Sequence, residues 1–275
     1  MMYLDFYGFV ENPFNITSDP SFLYLSQTHK NAFDHLLFGI NERKGFILLT
    51  GEIGAGKTTL CKALLYHLPQ TTKTSFVFNS NLPEGQLFEA ILGDFGILPK
   101  RRNKISFLKQ LNSFLLHELS LGNNAALIID EAQNLRASTL EFIRMLSNFE
   151  TEKEKLIQIV LSGQPELRDK LEAANLSQLK QRISVRSHLS ALTVSDVGQY
   201  IDYRIWKAQP SKSVVFTPDA VDLIYTYSGG IPRLINIACD KALLCGFVLD
   251  TTVIDHAVAQ RSIEELSGIS HPAMV

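Results

Sequence analysis

The sequence predicts an α/β fold: a parallel five-stranded sheet with helices on both faces, followed by a small all-helical domain. Three observations carry this. Five short apolar runs, at residues 46–49 (FILL), 75–79 (SFVFN), 125–129 (AALII), 156–161 (LIQIVL) and 185–189 (VRSHL), alternate with stretches of helical periodicity. The first run leads directly into Gly51-Glu52-Ile53-Gly54-Ala55-Gly56-Lys57-Thr58, which fits GxxxxGK[ST] between a strand and a helix. From Thr193 onward only helical patterns remain. Strands alternating with helices require right-handed crossovers, and these place a ligand at the carboxyl edge of the sheet.

Residues 1–45 form an aromatic segment ahead of the phosphate loop. Asn12-Pro13 and Asp19-Pro20 are turn dipeptides, and Phe14, Phe22, Tyr24 and Leu25 supply apolar surface around them. This segment is expected either to close over an adenine or to pack on the sheet. A helix over 27–42 carries Phe33, Leu36, Leu37 and Ile40 on one face. The helix after the phosphate loop, 58–68, stops at Pro69, and a helix over 83–95 follows the second strand. Lys100, Arg101, Arg102 and Lys104 make the densest basic cluster, read as a solvated loop because no aromatic stacking platform adjoins it. A longer amphipathic helix at 106–119 points Phe107, Leu111 and Leu115 inward.

The run at 125–129 is apolar throughout, as a central parallel strand covered on both faces should be. A helix carrying Leu140, Phe142, Ile143, Leu146 and Phe149 separates it from the fourth strand. Arg182 precedes the fifth strand and Arg186 lies within it. Further helices are expected at 194–208, 218–228, from Gly229-Gly230-Ile231-Pro232-Arg233 to about 249, and at 255–266. The domains are therefore placed at 46–191 (nucleotide-binding) and 192–268 (helical lid), with a frayed tail at 269–275.

Bulk composition excludes several classes. Hydrophobic residues make up 45% of the 275 residues, enough for a packed core. A net charge of −2 provides no global field to draw in nucleic acid. Cys61, Cys239 and Cys245 lack metal or redox spacing and read as reduced thiols. The N-terminus is acidic and aromatic, unlike a signal peptide, and no apolar run is long enough to span a bilayer.

The chemistry of the loop explains its spacing. Glycines let backbone N–H groups turn toward phosphate oxygens, and the helix that follows aims its free N–H groups at the same anion. Residues Gly51, Glu52, Ile53, Gly54, Ala55, Gly56, Lys57, Thr58 and Thr59 are the expected nucleotide contacts. Lys57 would reach the phosphates, and the Thr58 hydroxyl would take a place on Mg²⁺. Asp130 and Glu131 follow a buried strand, where unpaired charge is costly. Asp130 is read as a holder of the metal and Glu131 as the general base. A polar side chain after the fourth strand would orient water against the γ-phosphate; Gln164 is the first choice and Ser162 the second.

These motifs together resemble the AAA+ ATPases. More narrowly, YLDFYGFVENPFNITSDPSFLYLSQTHKNAFDHLLFGI near the start, ERKGFILLTGEIGAGKTT, DEAQNL at 130–135, SGQPEL at 162–167 and LKQRI at 179–183 look like the ExeA/GspA family of general secretion pathway ATPases. The resemblance implies a cytoplasmic ATP hydrolase using ATP/ADP and Mg²⁺, working with an inner-membrane or envelope partner to assemble a secretion or pilus complex. It implies a homo-oligomer in which a finger arginine acts across a subunit boundary. By resemblance Arg182 matches that finger, with Arg186 the alternative, Gln164 the sensor and Arg233 the lid arginine. Full secretion members continue into a transmembrane helix and a peptidoglycan-binding domain, whereas this sequence stops at Val275, as a shorter relative or an excised ATPase region would. A sister group that regulates transposition supplies the less favoured reading, a nucleotide-controlled DNA-binding protein.

Overall fold

The computed structural model describes residues 2–78, 80–98 and 103–268. In chain order the first half contains α1 (Met2–Tyr7), α2 (Gln27–Asn41), β1 (Phe46–Gly51), α3 (Lys57–His67), β2 (Thr72–Val77), α4 (Glu84–Asp94), α5 (Lys104–Ser120) and β3 (Asn124–Ile129). It continues with α6 (Ala137–Leu146), β4 (Gln158–Gly163), α7 (Pro165–Leu171), α8 (Ser177–Arg182) and β5 (Ile183–Leu189). The remainder is α9 (Val194–Lys207), β6 (Val215–Phe216), α10 (Pro218–Ser228), α11 (Pro232–Val248), β7 (Val253–Ile254) and α12 (His256–Leu266). Two compact units result. One holds Gln27–Glu52 and Lys57–Leu189; the other holds the N-terminal residues through Ser26, the loop residues Ile53–Gly56, and the chain from Ser190 on.

The first unit is built on a five-stranded sheet of order β2-β3-β4-β1-β5, parallel at every pairing. Every residue of β1 and β4 is buried, whereas burial alternates along the edge strand β5. Central strands covered on both faces must be apolar on both, which is why β1 and β4 read as continuous hydrophobic runs. Leu48, Leu127, Ile159 and Leu161 belong to one core with Phe88, Phe107 and Phe142. The Phe88 ring lies 4.7 Å from Phe107 and 4.2 Å from Phe142, centroid to centroid. This order inserts β4 between the strand of the phosphate loop and the strand of the carboxylates.

Strand edges differ from the sequence reading where polar residues begin them. The second strand starts at Thr72, opposite Asn124, and ends at Val77. Its polar start, Thr72-Lys73-Thr74, gives no hydrophobic signal, and Asn79 lies outside the described residues. The fourth strand starts at Gln158 rather than Leu156. That buried side chain accepts from Gly45 N–H at 2.8 Å and donates to the Lys155 carbonyl at 3.1 Å. Lys100, Arg101 and Arg102 and the tail at 269–275 also lie outside the described residues.

The second unit has its own core, formed by Val197, Ile201, Ile224, Ile235, Leu243 and Ile254 with Tyr7, Phe9, Phe14 and Phe22 from the N-terminal segment. These four aromatic residues are thus core residues of the helical unit, and Tyr3, Phe6 and Tyr24 pack against this core, partly buried. Arg204 anchors them: its guanidinium is 4.9 Å from the Phe22 ring centroid, donates to the Pro13 carbonyl, and reaches the Asn15 carbonyl at 3.2 Å. The expectation of helices alone needs one correction. β6 and β7 pair in parallel as a small second sheet. Two-residue strands are too short to show a period, and their partners lie far apart in sequence. Among the described residues, no helix is long and apolar enough to cross a membrane.

Candidate active site

The phosphate loop begins where β1 ends at Gly51 and closes where α3 starts at Lys57. Gly54 (φ 81°) and Gly56 (φ 96°) occupy the left-handed region that side chains disfavour. A Cβ on Gly54 would fall 2.6 Å from the Arg233 Cβ, and the Arg233 N–H donates to the Gly54 carbonyl at 3.3 Å. Glycine there satisfies both a dihedral and a close approach. Lys57 is 4% exposed, and its ammonium donates to the carbonyls of Gly51 at 2.8 Å and Glu52 at 2.9 Å. Burial lowers its pKa, and the charges of Glu131, Asp130 and Glu52 oppose that shift. Ala55 is buried, whereas Glu52 and Ile53 are exposed and Thr59 is half-buried.

Asp130 directly follows β3 and is 2% exposed. A buried carboxylate needs donors, and three meet it. Thr58 Oγ1 donates to Oδ2, while Ser162 Oγ at 2.7 Å and the Glu131 N–H at 3.0 Å donate to Oδ1. Glu131 is a non-glycine residue in the left-handed region, at φ 51° and ψ 36°. Its Oε2 accepts from Gln133 Nε2 at 2.5 Å and from Gln164 Nε2 at 3.2 Å. Its carbonyl accepts from Ser80 Oγ at 2.6 Å.

The sheet order therefore puts both candidate sensor residues into the network, on different carboxylates: Ser162 on Asp130 and Gln164 on Glu131. Arg182 and Arg186 bond elsewhere in the sheet unit. Arg182 ends α8 and donates to Ser147 Oγ at 2.5 Å and Asn148 Oδ1 at 2.6 Å, whereas exposed Arg186 donates to the Lys180 carbonyl at 3.0 Å. Arg233 is exposed at the start of α11. Lys104, the described member of the basic cluster, pairs with Glu84 and lies 5.2 Å from the Phe142 ring centroid.

Sequence reasoning missed Gln133, Ser80 and Arg168. Gln133 stands two residues beyond Glu131, but only the folded turn over Ala132–Asn134 brings its side chain back to that carboxylate. Ser80 and Arg168 had no motif to mark them. Arg168 donates to Thr50 Oγ1 at 3.2 Å, and the same hydroxyl bonds His188 Nδ1 at 3.0 Å. Burial and the neighbouring Arg168 charge lower the His188 pKa.

The donor set suits Mg²⁺. Thr58 and Asp130 offer hard oxygens that already meet, and no group of three or more His, Cys, Asp or Glu side chains able to hold a metal occurs among the described residues. A cation held by so few protein ligands must complete its shell with substrate oxygens and water, which is the habit of Mg²⁺.

A parallel sheet in which one strand separates the carboxylate strand from the phosphate-loop strand, with a lysine and a threonine beside paired acids, is a P-loop fold of the AAA type. Residues 40–171 match the AAA domain family. The chain is also a relative of General secretion pathway protein A of Aeromonas hydrophila, 41% identical over 272 residues that make up 98% of this chain and 49% of that protein. It spans about half the length of that curated relative. Among solved structures, the Aeropyrum pernix ORC2 protein in its ADPNP–ADP complexes superposes with a TM-score of 0.69 at 17% identity, over 94% of this chain and 72% of that one. The Thermotoga maritima RuvB Holliday junction branch migration motor gives 0.59 at 18% identity, over 86% of this chain and 69% of that one. At such identities the likeness is one of fold.

Proposed function

We propose that the chain hydrolyses Mg·ATP and uses the cycle to drive assembly or remodelling of a secretion (type II-like) or pilus envelope complex. The observation that supports this best is the meeting of the Thr58 hydroxyl with the Asp130 carboxylate, beside buried Lys57 and next to Glu131. Lys57 binds phosphate by exchanging its carbonyl partners for anionic oxygens, so its charge needs no new desolvation. Thr58 and Asp130 hold the cation. When bound, Mg²⁺ neutralises charge growing on the transferring phosphoryl group. Glu131 takes a proton from the attacking water, and Gln164, hydrogen-bonded to the same carboxylate, orients that water. Arg233 and a neighbour's Arg182 add positive charge from the lid and from a second copy of the chain.

The homology to General secretion pathway protein A supports the pathway assignment, a cytoplasmic position at the inner membrane through a partner, and a nucleotide-dependent homo-oligomer. Glu131→Gln should retain ATP affinity by calorimetry while hydrolysis falls by about a hundredfold or more. Wild-type turnover in that variant would remove Glu131 as the base. Duplex DNA retained with ATP in a strongly salt-dependent way would favour the regulator reading over the envelope one.

A further inference from the structure

We propose that Gln133 is a positioning residue that locks the general base Glu131 and the peptide of Gln164 into one unit, an inference that rests on the hydrolytic reading above. Gln133 uses both ends of its amide. Its Nε2 donates to Glu131 Oε2 at 2.5 Å, and its Oε1 accepts the Gln164 N–H at 3.1 Å. Gln164 Nε2 closes the ring on the same Glu131 oxygen at 3.2 Å. The turn after β3 and the turn after β4 are thereby stitched through one side chain.

The surroundings hold Gln133 at both levels. Its carbonyl accepts from the Lys170 ammonium, which also donates to the Leu135 carbonyl at 2.9 Å. Its Oε1 lies over Gly163, where a Cβ would be only 2.8 Å away and equally close to Leu167 Cδ2. A side chain at 163 would displace the amide.

This arrangement has a chemical consequence. Glu131 sits two residues past the end of β3 in a left-handed conformation, so strand hydrogen bonding does not orient its carboxylate. Both amide donors converge on Oε2, which leaves Oε1 as the oxygen to accept a proton from water. A rearrangement of the β4 tip on binding phosphate would pull on Glu131 through Gln133. The base and the sensor segment therefore move together, and the base is aimed only when the β4 tip is in register.

The test uses the whole chain, with single-turnover ATP hydrolysis, ATP affinity by calorimetry and thermal unfolding. Gln133→Met fills the space without donor or acceptor; Gln133→Glu keeps an acceptor for the Gln164 N–H but sets a carboxylate against Glu131. Both should cut the hydrolytic rate about ten- to a hundredfold while ATP affinity stays within about twofold and the unfolding midpoint is unmoved. In a Glu131→Gln background, Gln133→Met should lower the rate no further, because residues acting as a unit are not additive. A Gln133→Met rate within about twofold of wild type, or a rate loss matched by equal loss of affinity, overturns the inference alone. Equal rates for wild type and Glu131→Gln would instead overturn the hydrolytic reading, and the inference with it.

Discussion

At the scale of single residues, the site is a problem of buried charge solved by short-range donors. Asp130 is almost fully buried, and the hydroxyls of Thr58 and Ser162 both donate to it. Removing a donor from a buried carboxylate costs more than an average hydrogen bond, because the charge remains while its partner does not. Ser162→Ala should therefore destabilise the sheet unit by about 2 kcal/mol, read from the midpoint of urea unfolding. An unchanged midpoint would mean that water replaces the hydroxyl and that Asp130 is less enclosed than its burial implies. Cys61, fully buried beside this cluster, has its thiol pKa raised by burial and by Asp130, which leaves it inert.

At the scale of elements, glycines show where helices and loops have no room to spare. α10 ends at Gly229 in the left-handed region, with open space around a would-be Cβ. The next residue, Gly230, has φ 76° and would place a Cβ 2.0 Å from the Leu192 carbonyl oxygen. The two adjacent glycines therefore serve different ends, a helix stop and a backbone contact. Gly229→Ala should cost about 1 kcal/mol, whereas Gly230→Ala should cost roughly 3 kcal/mol or more, because backbone must shift as well. Thermal unfolding of the pair separates the two, and equal losses would show that the Leu192 segment moves aside freely. The N-terminal segment belongs to the same scale. Its proline turns were visible in the sequence, but its docking depends on Arg204, a buried cation satisfied by carbonyls of that segment and by the Tyr200 hydroxyl at 3.0 Å. A lone arginine in an amphipathic helix carries no sign of that role.

At the scale of the whole molecule, the proposed finger makes activity a property of the assembly. Arg182 is tethered to Ser147 and Asn148 in its own chain, held at the end of α8 by two neutral acceptors that an anionic group would outcompete. If it completes a neighbour's site, Arg182→Ala and Glu131→Gln are each nearly inactive alone. Mixed together, they should recover hydrolysis, since some interfaces then pair an intact base with an intact finger. A finger supplied in trans contributes about a thousandfold or more in comparable phosphoryl-transfer sites, so the recovery should be large. No recovery across mixing ratios, in a mixture shown to co-assemble, would point to Arg186 or to an arginine acting within the chain.

Read from sequence alone, the phosphate loop, the paired acids and the alternation of strands and helices were enough for the α/β fold and for naming Thr58 and Asp130, which meet at the candidate site. Those signals are local: a glycine-rich spacing, an apolar run ending in two carboxylates, a helical period. Tertiary structure decided what depends on partners distant in the chain. It brought Ser162 and Gln164, at the tip of β4, to different acids. It paired β6 with β7, placed the N-terminal aromatics in the helical core, and returned Gln133 onto Glu131. None of these leaves a periodic trace, because each is a contact between segments whose own sequences are indifferent to it, and only the packed chain supplies the distance.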